Sequence, residues 1–515
     1  MTQEEFILGE IPADKFDLMS REDLITFAKL EQKFRLTIQK RYDAITAAME
    51  LLKERTLLLE DQYITIKCQY FGKSSEKSQK NPPEKNSDGD PKKDKNKRVL
   101  LPSQRYPNAP LIEQHITLDQ LPTCSCCNAQ MRDSGMSEDS EFLTHIPEQY
   151  IVIRQLRHTY TCGKCHGDLK TAPLPPRIKE GGSLSDDMVV DVAMTKYCDL
   201  IPIERYAAIA GRGGLKDLPP QSLIESTHSL ADFLRGAYQR LKFEITAAPV
   251  LHADETPHRM LEGDKKCSWF LWGFSTAETS YFECHDTRSG DVADRLLTDS
   301  QCRYLVSDVY SGYSRAVGLT NEKRRGKNKE IPGILHVYCN AHSRRYFKQS
   351  VEIFPNEAQF FIDQYKEIYK LEDEAKDKPP DEILLIRSQM RPYFEAIKTR
   401  AMNDIAIYSS KSSLGKAMNY FLKNYVAFTR FLENASLPID NNSQERLMRN
   451  PVIGRKTWYG THSKRGAETS AILFSLAQSC KLNKINPREY IKHLVADLHQ
   501  GKTAYTPKEF KNHAH

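Results

Sequence analysis

The sequence predicts a multidomain α/β protein: a mixed β-sheet with helices outside it, preceded by a long heptad helix, a cysteine-bearing ribbon and a helical region. Three observations carry this. Apolar residues recur every seven positions near the N-terminus, two C-x-x-C pairs bracket a β-branched and aromatic stretch, and a later series of strand-like segments bears acids on its first and fourth members. At 515 residues the chain is too long for one core. The net charge is only +6 with 28% charged residues of both signs, which describes a mildly basic soluble chain, compatible with a nucleic-acid partner but not diagnostic of one. No apolar run approaches the ~18 residues of a membrane span. The opening "MTQEEFILGE" is acidic and lacks a secretory pattern. The expectation is an intracellular protein without a membrane partner, whose 12 cysteines are thiols or metal ligands rather than disulfides.

Ile38, Ile45, Leu52, Leu59 and Ile66 repeat every seven residues, with Tyr42, Met49 and Tyr63 four positions after three of them and a weak position at Thr56. Several heptads without proline or glycine read as a coiled-coil seam and hence a homo-oligomer; the alternative is an amphipathic helix packed on the chain's own core. "GKSSEKSQKNPPEKNSDGDPKKDKNKR" has almost no apolar residue and reads as a disordered linker. Cys124 and Cys127 in "TCSCCNAQM", then Cys162 and Cys165 in "YTCGKCHGD", have the spacing that lets two thiolates on one turn grip a tetrahedral zinc. "EFLTHIPEQYIVIRQLRHTYTC" between them reads as a strand hairpin, which makes a zinc ribbon with one structural Zn²⁺. Cys126 is a substitute ligand for the first pair. From Ser183 to Glu244 the pattern is helical, broken at "GRGGLKDLPPQS", where Ser222 is a candidate cap. Helix, glycine turn, helix fits either a helix-turn-helix or an ordinary helical hairpin.

The texture then changes to strands. "APVLHADETPHRM" runs into Asp254 and "CRYLVSDVYSGY" into Asp308; "CSWFLWGFSTA" and "TSYFECHDTRSG" are strand-like, and "GILHVYCNAHSRRYF" is a strand leading into a helix. Two carboxylates at strand ends plus one from a helix suit two Mg²⁺ ions, because hard cations prefer oxygen ligands and such a pair serves in-line displacement at phosphorus. "LPIDNNSQERLMRNPVIGRKTWYG" offers Asp440 and Glu445 as the third acid. Each acid also has a structural reading: aspartates as turn residues, and Glu445 as the far end of a capping box from Asn442 or as an ion-pair partner of Arg449.

"HADETPHRM", "LVSDVYSGY", "CNAHSRRYF", "LPIDNNSQERLMRNPVIGRKTW" and "RGAETSAILFSLAQSCKLNKINPREYI" together resemble the insertion-sequence-66 family of bacterial DDE transposases, from about Gln69 to Leu498 and in the same block order. The first cysteine knuckle, "CSCCN", departs from the family's usual proline and glycine there.

The resemblance implies a ribonuclease-H-like catalytic core with Asp254, Asp308 and Glu445 as catalytic acids holding two Mg²⁺ (or Mn²⁺) ions. His342 of "CNAH" would support that site, leaving Asp440 a loop or cap role. Arg446, Arg449, Arg455, Lys456, Lys464 and Arg465 would contact DNA phosphates, and Trp458 and Tyr459 either stack on a base or pack in the core.

The layout expected is 1–72 coiled coil, 73–105 linker, 106–175 zinc ribbon, and 176–245 helical DNA-binding-like region. It continues with 246–450 catalytic domain with a helical insertion at about 350–436, 451–503 C-terminal helical domain, and 504–515 tail. The function implied is a transposase that binds the terminal inverted repeats of its element on double-stranded DNA, cleaves there and joins the end to a target. It would act in the bacterial cytoplasm at the nucleoid, with small accessory proteins of the same element as further partners. A non-catalytic DNA-binding regulator and a metal-dependent nuclease are the alternatives.

Overall fold

The computed structural model describes residues 19–71, 101–105, 111, 126, 128, 130, 141, 150–161, 169–261, 268–327 and 331–513. Cys124, Cys127, Cys162 and Cys165, and residues 73–100 of the expected linker, lie outside the described residues. Cys126 is exposed. The chain divides into two compact units, Ser74–Leu156 with Ala210–Lys216, and the remainder.

Heptad spacing becomes one helix, Arg21–Phe71, of 51 residues. Ile38, Tyr42, Ile45, Met49 and Leu52 are all more than half exposed along it. None of these five packs into the chain's own core. In the smaller unit the expected linker ends early: Pro102–Arg105 is a helical turn. Ser103 holds it by donating from its backbone N and from Oγ to the Glu141 carboxylate, both at 2.8 Å. Of the strand hairpin expected over 141–162, residues 142–149 lie outside the described residues. Residues 151–158 form no strand, and Ile151, Val152, Ile153 and Leu156 are exposed. Thr159–Thr161 pairs antiparallel with Leu169–Thr171, so two short strands flank the second cysteine pair in sequence.

The main sheet has five strands: β1 (Val250–Arg259), β2 (Ser268–Ser275), β3 (Ser280–His285), β4 (Tyr304–Ser307) and β5 (Leu335–Tyr338). Their spatial order is β3-β2-β1-β4-β5, with β1–β2 and β2–β3 antiparallel and β1–β4 and β4–β5 parallel. This is the mixed α/β architecture expected, with one correction. β1 does not end at Asp254 but runs five residues past it, because β2 keeps pairing as far as Arg259↔Ser268. Leu271, Trp272 and Phe274 of β2 are all buried, as in a strand covered on both faces.

The outer strand β3 would present unpaired backbone groups, which favour edge-to-edge association. The helix Lys464–Leu482 covers them: Ser475 Oγ accepts from Phe282 N at 2.8 Å, and Ser479 Oγ accepts from Ser280 N at 2.9 Å and donates to Ser280 O at 3.0 Å. Ala471, Leu473 and Leu476 of that helix share one apolar cluster with Leu251, Leu271 and Phe282. A boundary at 450/451 therefore falls inside the continuous helix Asn442–Trp458, and the C-terminal helices belong to the sheet's core. The expected tail is likewise ordered. Pro507–His513 is a helix, Glu509 pairs with Arg240, and Tyr490 donates to the Tyr505 carbonyl at 2.7 Å.

The helical region joins the same cluster through Val189, Met194, Leu230 and Leu241. Its helix after the glycine turn starts at Pro220, not after a Ser222 cap; proline suits that first position because its missing N–H has no intrahelical partner there. Leu223, Ser226, Thr227, Leu230 and Ala231 bury one side of it, and its Glu225 and Asp232 pair with Arg465. A recognition helix presents free basic or amide side chains to DNA, and this one is largely packed, with acids outward. The helical-hairpin reading fits better.

A second apolar cluster joins β4 and β5, through Val306, Val337 and Tyr338, to the inserted helices Pro355–Ala375, Arg391–Asp404 and Ser413–Lys423. Within the insertion, Arg387 is buried, doubly bonded to Glu372 and capping the carbonyls of Phe431 and Asn434.

The helix Asn442–Trp458 lies on β1 and β2, and Gly273 of β2 makes this possible. Gly273 stands opposite Asp254, and a Cβ there would come within 2.4 Å of Gln444 Nε2 and 2.8 Å of Met448 Sδ. Gly273→Val is expected to push the helix off the sheet and cost about 1–3 kcal/mol, read as a lowered denaturant midpoint at unchanged slope.

Candidate active site

Asp254 sits mid-strand on β1, Asp308 follows the last residue of its parallel neighbour β4, and Glu445 is in the first turn of Asn442–Trp458. Three separate segments thus bring their acids to one region, because the helix start is fastened to β1. Asn441, only 2% exposed, is the fastening. Its Nδ2 donates to the Ala253 carbonyl at 2.9 Å, its Oδ1 accepts from His252 Nδ1 at 2.8 Å, and its backbone N donates to Cys339 Sγ at 3.2 Å. Because an amide oxygen can only accept, His252 carries its proton on Nδ1, and burial keeps the ring's pKa below the usual value. The helix's far end is tied to β1 as well: Arg455 donates to the Pro257 carbonyl, and Thr461 N donates to Arg259 O at 3.0 Å.

The capping box expected from Asn442 to Glu445 does not form. Asn441 is the N-cap, with no side-chain capping bond, and Glu445 N donates to its carbonyl at 3.2 Å. Asp440 takes the local capping role. Its Oδ1 accepts from Asn442 N at 3.1 Å, and its Oδ2 accepts from Asn442 Nδ2 at 2.7 Å and from the Tyr369 hydroxyl at 3.3 Å. Asp440 is a loop and cap residue, and Glu445 is the helix acid whose charge acts on Asp254 and Asp308.

Electrostatics unites the three. Burial pushes Asp254 well above the usual carboxylate range, and the negative charges of Glu255, Asp308 and Glu445 push it further. Asp308 is raised to about 6, by burial first and by Glu255 and Glu445, with Arg288 pulling the other way. Like charges facing one another in a half-buried space disfavour full ionisation, and perturbed groups of this kind gather at functional sites. Two residues beside the acids, Glu255 and Arg288, were not singled out by the sequence. Glu255, whose side chain is 3% exposed, binds Arg288 at 2.6 Å and accepts from the Tyr313 hydroxyl at 2.6 Å. With both oxygens engaged, Glu255 supplies negative field rather than an open ligand, and Arg288 is the cation that offsets it. "HADET" displayed Glu255 all along, but nothing in the sequence reveals that Arg288 and Tyr313 fold back onto it.

The donor set fits a hard divalent cation. Asp254 and Asp308 offer oxygens, Asp308 Oδ1 is buried without a hydrogen-bond partner among the described residues, and added positive charge relieves the mutual repulsion. Glu445 has a second set of neighbours. His342 Nδ1 lies 3.7 Å from its Oε1 and Arg345 Nη2 lies 3.9 Å from its Oε2. Cys339, His342 and Glu445 bring one potential ligand atom each within 4.8 Å of one another. The C-x-x-H element is therefore beside the third acid.

Of the basic residues, Arg446, Arg449, Lys456 and Lys464 are exposed. Arg455 and Arg465 are already engaged, the first with β1 and the second with Glu225 and Asp232 at 2.8 and 3.1 Å. Trp458 packs rather than projects, 6.2 Å from the Tyr197 ring and 6.4 Å from Phe474; Tyr459 is 69% exposed in a left-handed conformation.

A five-stranded mixed sheet carrying clustered acids, with a further acid on a helix docked across it, defines a mixed α/β protein with an acidic site. Residues 181–469, more than half of the chain, match the Transposase IS66 family, and the chain belongs to that family. It is also similar to three proteins of Sinorhizobium fredii (strain NBRC 101917 / NGR234), each described as uncharacterized. y4hP is 24% identical over 75% of this chain and 72% of its own length, and y4jD is 27% identical over 75% and 76%. y4qI is 26% identical over 70% and 68%. Among the described residues no helix is long and apolar enough to cross a membrane.

The raised pKa of Asp308 has a stability consequence. The folded value of about 6 exceeds the ordinary 3.8, so its favourable contribution is complete below pH ~4 and is lost as pH rises through about 6. In divalent-free buffer, Asp308→Asn is expected to match wild type near pH 4 and to exceed it at pH 7 by on the order of 2–3 kcal/mol, measured by urea unfolding at both pH values.

Proposed function

We propose that this chain is a DNA transposase that binds the terminal inverted repeats of an insertion sequence and catalyses metal-dependent cleavage and strand transfer there. The observation that carries the proposal is the convergence of Asp254, Asp308 and Glu445, within a chain of a transposase family. The central position of β1, the acid following its parallel neighbour β4 and the glutamate helix lying on β1 and β2 support a ribonuclease-H-like reading of the sheet.

Asp254 and Asp308 hold two Mg²⁺ or Mn²⁺ ions, with Glu445 as the third acid. Bound there, such ions supply activation of the attacking oxygen and charge neutralisation at phosphorus. The protein supplies position. Asn441 and Gly273 set where the helix lies, His342 and Arg345 hold the Glu445 carboxylate, and Arg288 moderates the negative field beside Asp308. Arg446, Arg449, Lys456 and Lys464 contact DNA phosphates, giving affinity and register without sequence choice. Arg455 and Arg465 serve chiefly to fix the helices that present the others.

The helix Arg21–Phe71 associates two or more copies through its exposed seam of Ile38, Tyr42, Ile45, Met49 and Leu52, so that two element ends are held in one assembly. Cys124, Cys127, Cys162 and Cys165 hold one structural Zn²⁺. Small proteins of the same element are further partners, and the bacterial nucleoid is the place of action.

Incubation of the full chain with Mg²⁺ and duplex DNA carrying the element's ends tests the chemistry. Wild type is expected to cleave, and Glu445→Gln to lose at least about 100-fold in rate while still retarding the DNA in a gel. Cleavage that survives the substitution removes Glu445 from the site. In elemental analysis, Cys162→Ser is expected to lose about one zinc per chain relative to wild type, and unchanged zinc would remove the ribbon.

A further inference from the structure

The helices Asn340–Gln349 and Pro355–Ala375 enclose an open cleft of about 630 Å³, lined by Arg344, Lys366, Tyr369, Lys370, Asp373 and Glu374. Neither the acid cluster nor the basic residues after Glu445 account for it. The cleft is nevertheless joined to the site by consecutive contacts. The Arg344 guanidinium lies 6.0 Å from the Tyr369 ring centre, and the Tyr369 hydroxyl donates to Asp440 at 3.3 Å. Arg446 acts electrostatically on that same Asp440, and Arg345, adjacent to Arg344, faces Glu445.

The cleft's cations are also the uncommitted kind. Among the described residues, Arg344, Lys366 and Lys370 make no ion pair, whereas Arg387, Arg400 and Arg465 are all paired internally. Lys366 and Lys370 are exposed and one helical turn apart, a spacing that puts Cβ atoms about 5–6 Å from each other on one helix face. With Arg344 across the cleft, they form a three-cornered positive group that leads to Asp440 and Arg446. Asp373 and Glu374 lie one turn beyond Lys370. Their charge repels phosphate, so the cleft admits a polyanion at its Arg344–Lys366–Lys370 end only.

We propose that this end of the cleft binds the phosphodiester backbone of DNA next to the cut, extending the Arg446–Arg449 contact surface onto the helical insertion. The inference rests on the transposase reading and deepens it: it assigns the insertion a direct role in gripping substrate. The ligand is backbone, not base, because the lining offers point charges and one arginine but no paired amide donors and acceptors directed outward for reading base edges.

Backbone contacts do not depend on sequence, so the probe is a fluorescein-labelled duplex of random sequence, titrated with full-length protein by anisotropy at several salt concentrations. Wild type is expected to show a steep salt dependence. The triple variant Arg344→Gln/Lys366→Gln/Lys370→Gln is expected to bind at least about tenfold more weakly at low salt. Its slope of log K against log salt is expected to fall by about 2–3, near 0.9 for each phosphate no longer neutralised. Asp373→Asn/Glu374→Gln is expected to bind more tightly than wild type. Far-ultraviolet circular dichroism and melting temperature confirm that each variant is folded. An unchanged slope in a folded triple variant, or no gain from removing the two acids, overturns the cleft while leaving the reading of the three catalytic acids intact. A wild type that binds no DNA overturns both.

Discussion

Everything at this site depends on the docking of one helix, Asn442–Trp458, across β1 and β2. A glutamate in a helix has no inherent reason to meet aspartates on two strands some 140 and 190 residues earlier in the chain. Asn441 gives it one, by satisfying a β1 carbonyl, a buried histidine and a cysteine sulfur at once. Buried polar networks of this kind specify geometry when every member is paired, and removing one member costs more than the bond itself. Gly273 completes the fit by leaving space where any side chain would collide with Gln444 and Met448.

The same docking stores electrostatic conflict. Asp254, Asp308, Glu255 and Glu445 are drawn into one half-buried region, and burial compounds their repulsion. Arg288, His342 and Arg345 offset part of it from the periphery. A core designed for stability alone would not collect four carboxylates. Such a collection favours cations, and the neighbouring cations decide how each acid stands before one arrives. Glu445 illustrates this: it sits beside a thiol and an imidazole, and its charge acts on two aspartates as well.

Much of this was legible in the sequence. The five strands lie where alternating apolar runs indicated, and the acids sit where strand-like segments met carboxylates, since both signals are local. Heptad spacing gave the long helix for the same reason. What could not be read was long-range. β1 runs past Asp254 only because β2 pairs with it there, and the capping box yielded because Asn441 has better partners on the sheet. The C-terminal helices join the sheet's core through Ser475 and Ser479, which bond the edge of β3 from some 190 residues away, a contact no local pattern signals. Arg455 and Arg465 read as free cations, and only the fold supplies the carbonyl and carboxylates that engage them. Likewise only the fold brings Arg344, from the strand-to-helix segment, to the same cleft as Lys366 and Lys370, whose own surroundings read as a solvated helix.

The central claim is that the helix docking creates one cation site from Asp254, Asp308 and Glu445. Crystals of the full chain soaked in Mn²⁺ and recorded for anomalous scattering test it directly. The account predicts manganese density bounded by the carboxylates of Asp254 and Asp308, with the Glu445 side chain turned onto it. Density against Cys339 and His342 instead, with the two aspartates bare, would contradict it.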